Sequence, residues 1–134
     1  MSIYQHKVQY YETDRMGIVH HSNYVRWMEE ARMDCLRQLG CSYERMEELG
    51  VISPVTSVEC KYKMTTTFAE VIDIEVQVAE FKGIKLKLKY VMRRGEDVVF
   101  EGYSEHCFLD KTGKLISLKK EYPDFFKAMT ESEK

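Results

Sequence analysis

Two periodicities divide this chain. Over residues 3–12 hydrophobic and polar positions alternate weakly, with Tyr4, Val8 and Tyr10 on one side and Lys7, Gln9 and Tyr11 on the other. That spacing predicts a first strand. From Tyr24 the spacing becomes helical: Tyr24, Trp27, Met28, Ala31, Cys35 and Leu39 share one face, and Arg26, Glu29, Glu30, Arg37 and Gln38 fall elsewhere. Ser22 or Asn23 supplies the N-cap and Gly40 the C-terminal stop. The helix then runs for roughly 16 residues, about 24 Å. Ser42 caps a second, short helix, which Gly50 closes.

After Gly50 the period is two. Val58, Cys60, Tyr62 and Met64 alternate with Ser57, Glu59, Lys61 and Lys63, and Ile72, Ile74, Val76 and Val78 with Asp73, Glu75 and Gln77. Ile84, Leu86, Leu88, Tyr90 and Met92 alternate with Lys85, Lys87, Lys89 and Arg93; Val98, Phe100 and Phe108 alternate with Glu101 and Glu105. "FKGIK" and "RRGEDV" carry hairpin turns. Strands with one wet and one dry face indicate an antiparallel sheet rather than parallel βαβ units. "YPDFFKAM" predicts one last helical turn with Pro123 near its start. The order is strand, long helix, short helix, four strands. A single sheet of about five strands wrapped around the long helix buries the dry face of each, an α+β domain spanning 1–134. The helix's other flank and the sheet edges still need cover, so a homo-oligomer is expected.

Composition narrows the function classes. The chain has 134 residues, is 44% hydrophobic and 31% charged, and carries a net charge of −2. This size supports one real core, and the charge gives no footprint for nucleic acid. No basic leader precedes an apolar core at the N-terminus, and no apolar run nears the roughly 18 residues of a membrane span. A cytoplasmic protein is expected. Cys35, Cys41, Cys60 and Cys107 form no C-x-x-C pair and read as free, reduced, mostly buried thiols.

The densest chemistry lies in "YYETDRMGIVHHSNYVRWMEEAR", Tyr10 to Arg32. In "TDRMG", Asp14 can be a turn-former whose side chain bonds its own backbone while Gly17 supplies positive φ. It can equally be a carboxylate beside a helix start, where unpaired N–H groups stabilise an oxyanion and the carboxylate activates water or attacks directly. His20 and His21, in a strand-like approach, face opposite ways. With Glu12 and Asp14 they show no recognised metal spacing, and no metal is expected. His106 lies in phase with Phe100 and Phe108, as a core or interface histidine does. Glu29 and Glu30 fit surface pairs with Arg26 and Arg32, or else a helix-borne catalytic carboxylate. Lys85, Lys87 and Lys89 form either the wet face of a strand or a phosphate-binding stripe.

The pattern Asp14, Gly17, Val19, His21, Asn23, Tyr24 and the Glu30-Ala31-Arg32 run resembles the acyl-CoA thioesterases related to 4-hydroxybenzoyl-CoA thioesterase, including the Tol-Pal-associated group. The likeness extends more loosely over the whole chain. It implies the hotdog fold and hydrolysis of acyl-CoA to free acid and CoA, without a cofactor. Asp14 matches the catalytic aspartate, and the backbone N–H around Asn23 and Tyr24 matches the donor that polarises the thioester carbonyl. His21 matches an active-site histidine and Tyr10 a nearby tyrosine, with Gly17 in the same pattern. CoA would bind near a dimer interface with its phosphates outside, where Lys85 and Lys87 are candidates. A homodimer or homotetramer is implied. Two departures, Arg15-Met16 after the aspartate and Met64-Thr65-Thr66-Thr67 where many relatives have proline, bear on the acyl pocket rather than on Asp14. A second hotdog clade uses a helix carboxylate, here Glu29 or Glu30; Asp14 in its expected place argues against that. A non-catalytic acyl-CoA-binding or interaction module on the same fold is the competing reading, and a dehydratase acting on an acyl thioester the third.

Overall fold

The computed structural model describes residues 2–131. Strands β1 (Ser2–Lys7), β2 (Val55–Tyr62), β3 (Val71–Phe81), β4 (Leu86–Arg94) and β5 (Asp97–His106) form one antiparallel sheet in the order β1-β3-β4-β5-β2. Helix α1 (Ser22–Gln38) lies against β1 and β3. Short α2 (Tyr43–Glu48) follows, and α3 (Leu118–Glu121) and α4 (Pro123–Thr130) close the chain. This is the α+β architecture of one sheet and one long helix that the sequence implied.

The two clearest alternations become the core. Ile72, Ile74, Val76 and Val78 of β3, and Leu86, Leu88, Tyr90 and Met92 of β4, are buried against Trp27, Met28 and Ala31 of α1 within one hydrophobic cluster. The Gly40 stop and the Ser42 cap act as expected. Cys41 N–H donates to the Leu36 carbonyl at 2.8 Å and Gly40 N–H to that of Arg37 at 3.1 Å, closing α1 with a left-handed Gly40. The Ser42 hydroxyl accepts from Arg45 N–H at 3.2 Å.

Several elements differ from expectation. The first strand stops at Lys7, and residues 10–12 form a single 3-10 turn. Val8 is buried, whereas Tyr10 is exposed. The cause is local: Glu12 folds back and accepts the Gln9 backbone N–H at 2.7 Å, bending the chain out of the sheet. The expected dry face of β2 is open, with Val58 at 42%, Tyr62 at 48% and the following Met64 at 42% exposure. β2 is the edge strand paired only with β5, and α1 lies toward the opposite edge. Ile84 sits in the β3–β4 turn beside Gly83, outside the strand and half exposed. In β5, Val99 and Phe100 are both fully buried, because the register slips between Met92 and Arg93. The C-terminal segment makes two helices rather than one turn, since Leu118, Phe125 and Met129 complete the core. Cys35 and Cys41 are buried, and Cys60 and Cys107 half-buried, all free. Burial pushes the Cys35 thiol up and that of Cys41 to about 11.

Gly102 sits in β5 between Tyr90 of β4 and Cys60 of β2. A Cβ there would lie 2.6 Å from the Glu59 carbonyl oxygen and 2.8 Å from the Phe100 ring. Gly102→Ala is expected to force β2 away from β5 and destabilise by about 1–3 kcal/mol. Urea unfolding should show a lower midpoint with an unchanged slope.

Candidate active site

Glu12 is the most constrained polar residue ahead of α1. It is 5% exposed. One carboxylate oxygen accepts the Gln9 N–H at 2.7 Å and lies 2.8 Å from His6 Nε2; the other accepts the Trp27 indole N–H at 2.8 Å. Its backbone carbonyl accepts from Asn23 Nδ2 and from His20 N–H, both at 2.9 Å. One residue thus joins β1, the 3-10 turn and the start of α1. Burial pushes the Glu12 carboxyl up, but the donors at Gln9, Trp27 and His6 outweigh it and hold the group below its ordinary range. The network continues from His6 Nδ1 to Glu30 at 3.5 Å, and the Tyr4 hydroxyl donates to the same Glu30 oxygen at 2.9 Å. Glu30 therefore serves β1 and not a surface pair with Arg26.

Asp14 lies two residues further, in a tight loop bridged by Thr13 and Val19. Asp14 N–H donates to the Ile18 carbonyl at 2.8 Å, and Gly17 N–H to the Asp14 carbonyl at 2.9 Å. The half-buried carboxylate accepts Met16 N–H at 2.8 Å, so the turn-forming role is present. Gly17 has φ +82°, a conformation that favours glycine. Two threonines strap this loop. Thr67 Oγ1 donates to the Gly17 carbonyl at 2.8 Å, and the Thr66 carbonyl accepts Val19 N–H at 2.9 Å. The buried Thr66 hydroxyl also lies 2.7 Å from the Tyr24 hydroxyl. Residues 66–67 thus tie the Asp14 loop to the first turn of α1.

The helix start departs from the cap expected at Ser22 or Asn23. His21 occupies the N-cap position without a side-chain cap bond. Asn23 spends its side chain on Glu12, and Ser22 N–H donates to His20 Nδ1 at 3.2 Å. The imidazole therefore substitutes for a serine or asparagine oxygen. Asn23 N–H donates to the His20 carbonyl at 3.0 Å and Tyr24 N–H to the His21 carbonyl at 3.3 Å. The rings of His20 and His21 stack, with centroids 4.4 Å apart, because they sit in a turn and not in a strand. Tyr62 meets His21 edge-on at 6.1 Å and donates its hydroxyl to the His21 carbonyl at 3.3 Å. Tyr24 stacks on Phe100 at 5.3 Å. Tyr10 is 77% exposed, edge-on to Phe68.

Residues 62–67 thus meet Gly17, Val19, His21 and Tyr24, while Asp14 is held by its own loop and Asn23 by Glu12, and Tyr10 lies against Phe68. Lys87 lies on the face of β4 opposite the buried Leu86 and Leu88, and Lys85 lies just before that strand. Lys85 pairs with Glu105 at 3.2 Å, and the Lys87 ammonium lies 4.7 Å from the Tyr103 ring centre. Reading the sequence missed His6, Trp27, Thr66 and Thr67 as site-forming residues; the partners of Trp27, Thr66 and Thr67 lie 15 to 50 positions away along the chain, and His6 reaches Glu12 only because the chain turns after β1.

A second polar cluster is buried behind α1. Arg32, expected in a surface pair, turns inward, with a guanidinium nitrogen 3.3 Å from His106 Nδ1 and 3.5 Å from Nε2. Ser104 Oγ lies 2.6 Å from His106 Nε2 and 2.7 Å from the Tyr90 hydroxyl. Burial, with the Arg32 charge beside it, pushes His106 down to about 3.

The thioesterase-like superfamily model matches residues 8–129. A Bacillus subtilis protein described as "Putative acyl-CoA thioesterase YneP" is 33% identical over 130 residues, covering 96% of this chain and 94% of that one. Among solved structures, a DHNA-CoA thioesterase from Staphylococcus aureus is similar at TM-score 0.92 and 32% identity, covering 97% of this chain and 89% of that one. A hypothetical protein from Thermus thermophilus is similar at TM-score 0.92 and 30% identity, covering 99% of this chain and all of that one, 100%. The hotdog fold is shared with these relatives.

The two clusters make separable predictions. Glu12→Gln puts an amide donor among the donors that face the carboxylate. It should lower stability by about 1–3 kcal/mol at pH 7, measured by chemical denaturation. Because the Glu12 value is depressed in the folded state, its contribution is present above the ordinary glutamate range and lost as pH falls through the folded value. The variant should lose that share of the acid sensitivity. His106 is neutral when folded, so the unfolded chain alone takes its proton below about pH 6.5. Stability should fall as pH drops from there toward about 3, with a slope of at most about 1.4 kcal/mol per pH unit. His106→Asn should remove that slope.

Proposed function

The chain belongs to the thioesterase-like superfamily, and from that premise we propose that it hydrolyses acyl-CoA thioesters to a free carboxylic acid and CoA at the Asp14 loop. The observation that carries this reading is the double fixing of that loop. Glu12 holds its base, and Thr66 and Thr67 strap its tip to the first turn of α1. A carboxylate held in this way meets the requirement for a nucleophile or base, which is position before reactivity.

Attack on the thioester carbon, by Asp14 or by a water that gives Asp14 its proton, makes a tetrahedral oxyanion. The Tyr24 N–H, at 3.3 Å from its helical acceptor, has a long bond to share with that oxygen. Collapse breaks the C–S bond. On the base route, Asp14 returns the proton to the departing thiolate. On the nucleophile route, water then opens the mixed anhydride and restores the carboxylate. His21 and Tyr62 wall the helix start, with Asn23 fixing its angle through Glu12. Lys85 and Lys87 are already engaged by Glu105 and Tyr103 and are weaker candidates for the CoA phosphates.

The active form is a homodimer or a homotetramer. The open Val55, Val58 and Tyr62 along the unpaired β2 edge support that reading.

Asp14→Asn should lower kcat for acyl-CoA hydrolysis by at least about a hundredfold in a thiol-release assay. The circular-dichroism spectrum should be unchanged, because the amide oxygen still accepts Met16 N–H. Undiminished turnover in a folded variant would remove Asp14 from the mechanism.

A further inference from the structure

We propose that Arg94, at the end of β4, is a positioning residue for the hydrolysis: through Glu70 and Thr67 it sets where the Asp14 loop stands against the start of α1. The inference rests on the hydrolase reading and adds to it a residue that touches neither the loop nor the helix.

Residues 63–70 join β2 to β3 without regular structure. The segment is tied down at both ends. Lys63 and Met64 N–H donate to the Val99 carbonyl at 2.9 and 3.1 Å, and Ala69 N–H to that of Val8 at 3.0 Å. Its middle faces the site instead, where Thr66 and Thr67 bond Val19, Tyr24 and Gly17. Among the described residues, the one hydrogen bond that joins residues 65–67 to a strand comes from the Arg94 guanidinium, which donates to the Thr65 carbonyl at 2.9 Å. The same nitrogen lies 3.3 and 3.4 Å from the two carboxylate oxygens of Glu70, and the other terminal nitrogen 3.6 Å from Asp97. Glu70 Oε1 in turn accepts Thr67 N–H at 2.8 Å. A charged acceptor makes that bond stronger than a neutral one would, and Arg94 keeps the acceptor where it is needed.

The backbone is bent to make this contact. Ala69 has φ +70°, and among the described residues it is the one non-glycine residue in the left-handed region. A residue with a Cβ keeps that conformation only where its surroundings impose it. Here the turn brings Glu70 back onto Thr67: Glu70 N–H donates to the Thr67 carbonyl at 3.3 Å while the Glu70 side chain takes the Thr67 N–H. Thr67 is thus held on both sides of its backbone, and its Oγ1 reaches the Gly17 carbonyl at 2.8 Å. Gly17 N–H holds the Asp14 carbonyl at 2.9 Å. A continuous path of hydrogen bonds therefore runs from β4 through Glu70, Thr67 and Gly17 to Asp14. The pair also lies within electrostatic reach of the helix start. Burial pushes the Tyr24 hydroxyl up and the Thr66 bond opposes it, with Glu70 and Arg94 then acting in opposite directions. Without Arg94, Glu70 loses its counter-charge and is free to turn to water, and Thr67 loses its hold. Ion pairs as exposed as this one add little to stability, so the loss falls on placement rather than on folding.

The test compares Arg94→Gln, Thr67→Val and the double variant with wild type in thiol release from acetyl-, octanoyl- and benzoyl-CoA. Each single change should lower kcat by about tenfold. KM should stay within about twofold, since the strap orients the carboxylate and not the bound substrate. Because the two residues act in series, the double variant should be no slower than the slower single one. Undiminished kcat in Arg94→Gln, or effects that multiply in the double variant, would overturn the proposal. So would a loss of kcat that tracks a fall in the urea midpoint, the mark of a merely structural role. A second arm needs no catalysis: amide hydrogen exchange is followed by NMR. Arg94→Gln should speed exchange at the Gly17 and Val19 N–H groups and leave that of Ile74 in β3 unchanged. Unaltered exchange at Gly17 and Val19 would also overturn the proposal. Absence of thiol release from wild-type protein with every substrate, with the exchange effect intact, would instead sink the hydrolase reading and leave the anchor standing.

Discussion

A buried carboxylate has to be surrounded by donors, and at Glu12 that requirement organises the end of the molecule that carries the candidate site. Its side chain collects His6 from β1, the Gln9 amide from the 3-10 turn and the Trp27 indole from α1. Its carbonyl takes the His20 N–H just ahead of the helix and the Asn23 side chain in its first turn. None of these partners can leave without stranding a charge or a donor in the interior. The position and direction of the chain at residue 13 are therefore set before the Asp14 loop begins. The loop itself needs only short-range bonds and two threonine straps to finish the placement.

The helix links this end to the rest of the fold. Its inward stripe is committed to β1 and β3, and that leaves β2 at the far edge with little beneath it. The exposed Val55 and Val58 have two neighbours to satisfy: the recess that contains Arg32 and the open sheet edge. A second copy seated on β2 would cover both at once, removing the apolar edge from water and closing the recess over its buried cation.

The regular parts of this structure were legible because their signals are local. The β3 and β4 alternation, the Gly40 and Gly50 stops and the Ser42 cap each depend on residues a few positions apart, and they folded as read. A candidate site was outlined through a resemblance covering Asp14, Gly17, His21, Asn23 and Tyr24, but the residues that hold this segment in place were not legible. Glu12 and Trp27 are 15 positions apart and Tyr24 and Thr66 are 42 apart, and no periodicity couples them. Ser22 and Asn23 looked like caps because their side chains suit that role; Asn23 was claimed by Glu12, His21 came to the N-cap position, and the His20 ring accepted the Ser22 N–H. Arg32 and Glu29 have the spacing of a surface pair, and spacing alone does not reveal that the Arg32 position faces β5. The openness of β2 was hidden for a similar reason: alternation says which residues share a side, not whether anything lies over it.

The cysteines carry a consequence for a protein proposed to set free a thiol at each turnover. Disulfide exchange needs a thiolate that can reach solvent. Cys35 and Cys41 are enclosed, and both are held in the protonated form well above neutral pH. Accumulating CoA, or its oxidised dimer, would find these two sulfurs nearly inert. Any mixed-disulfide adduct would have to form first at Cys60 or Cys107, which are only partly covered.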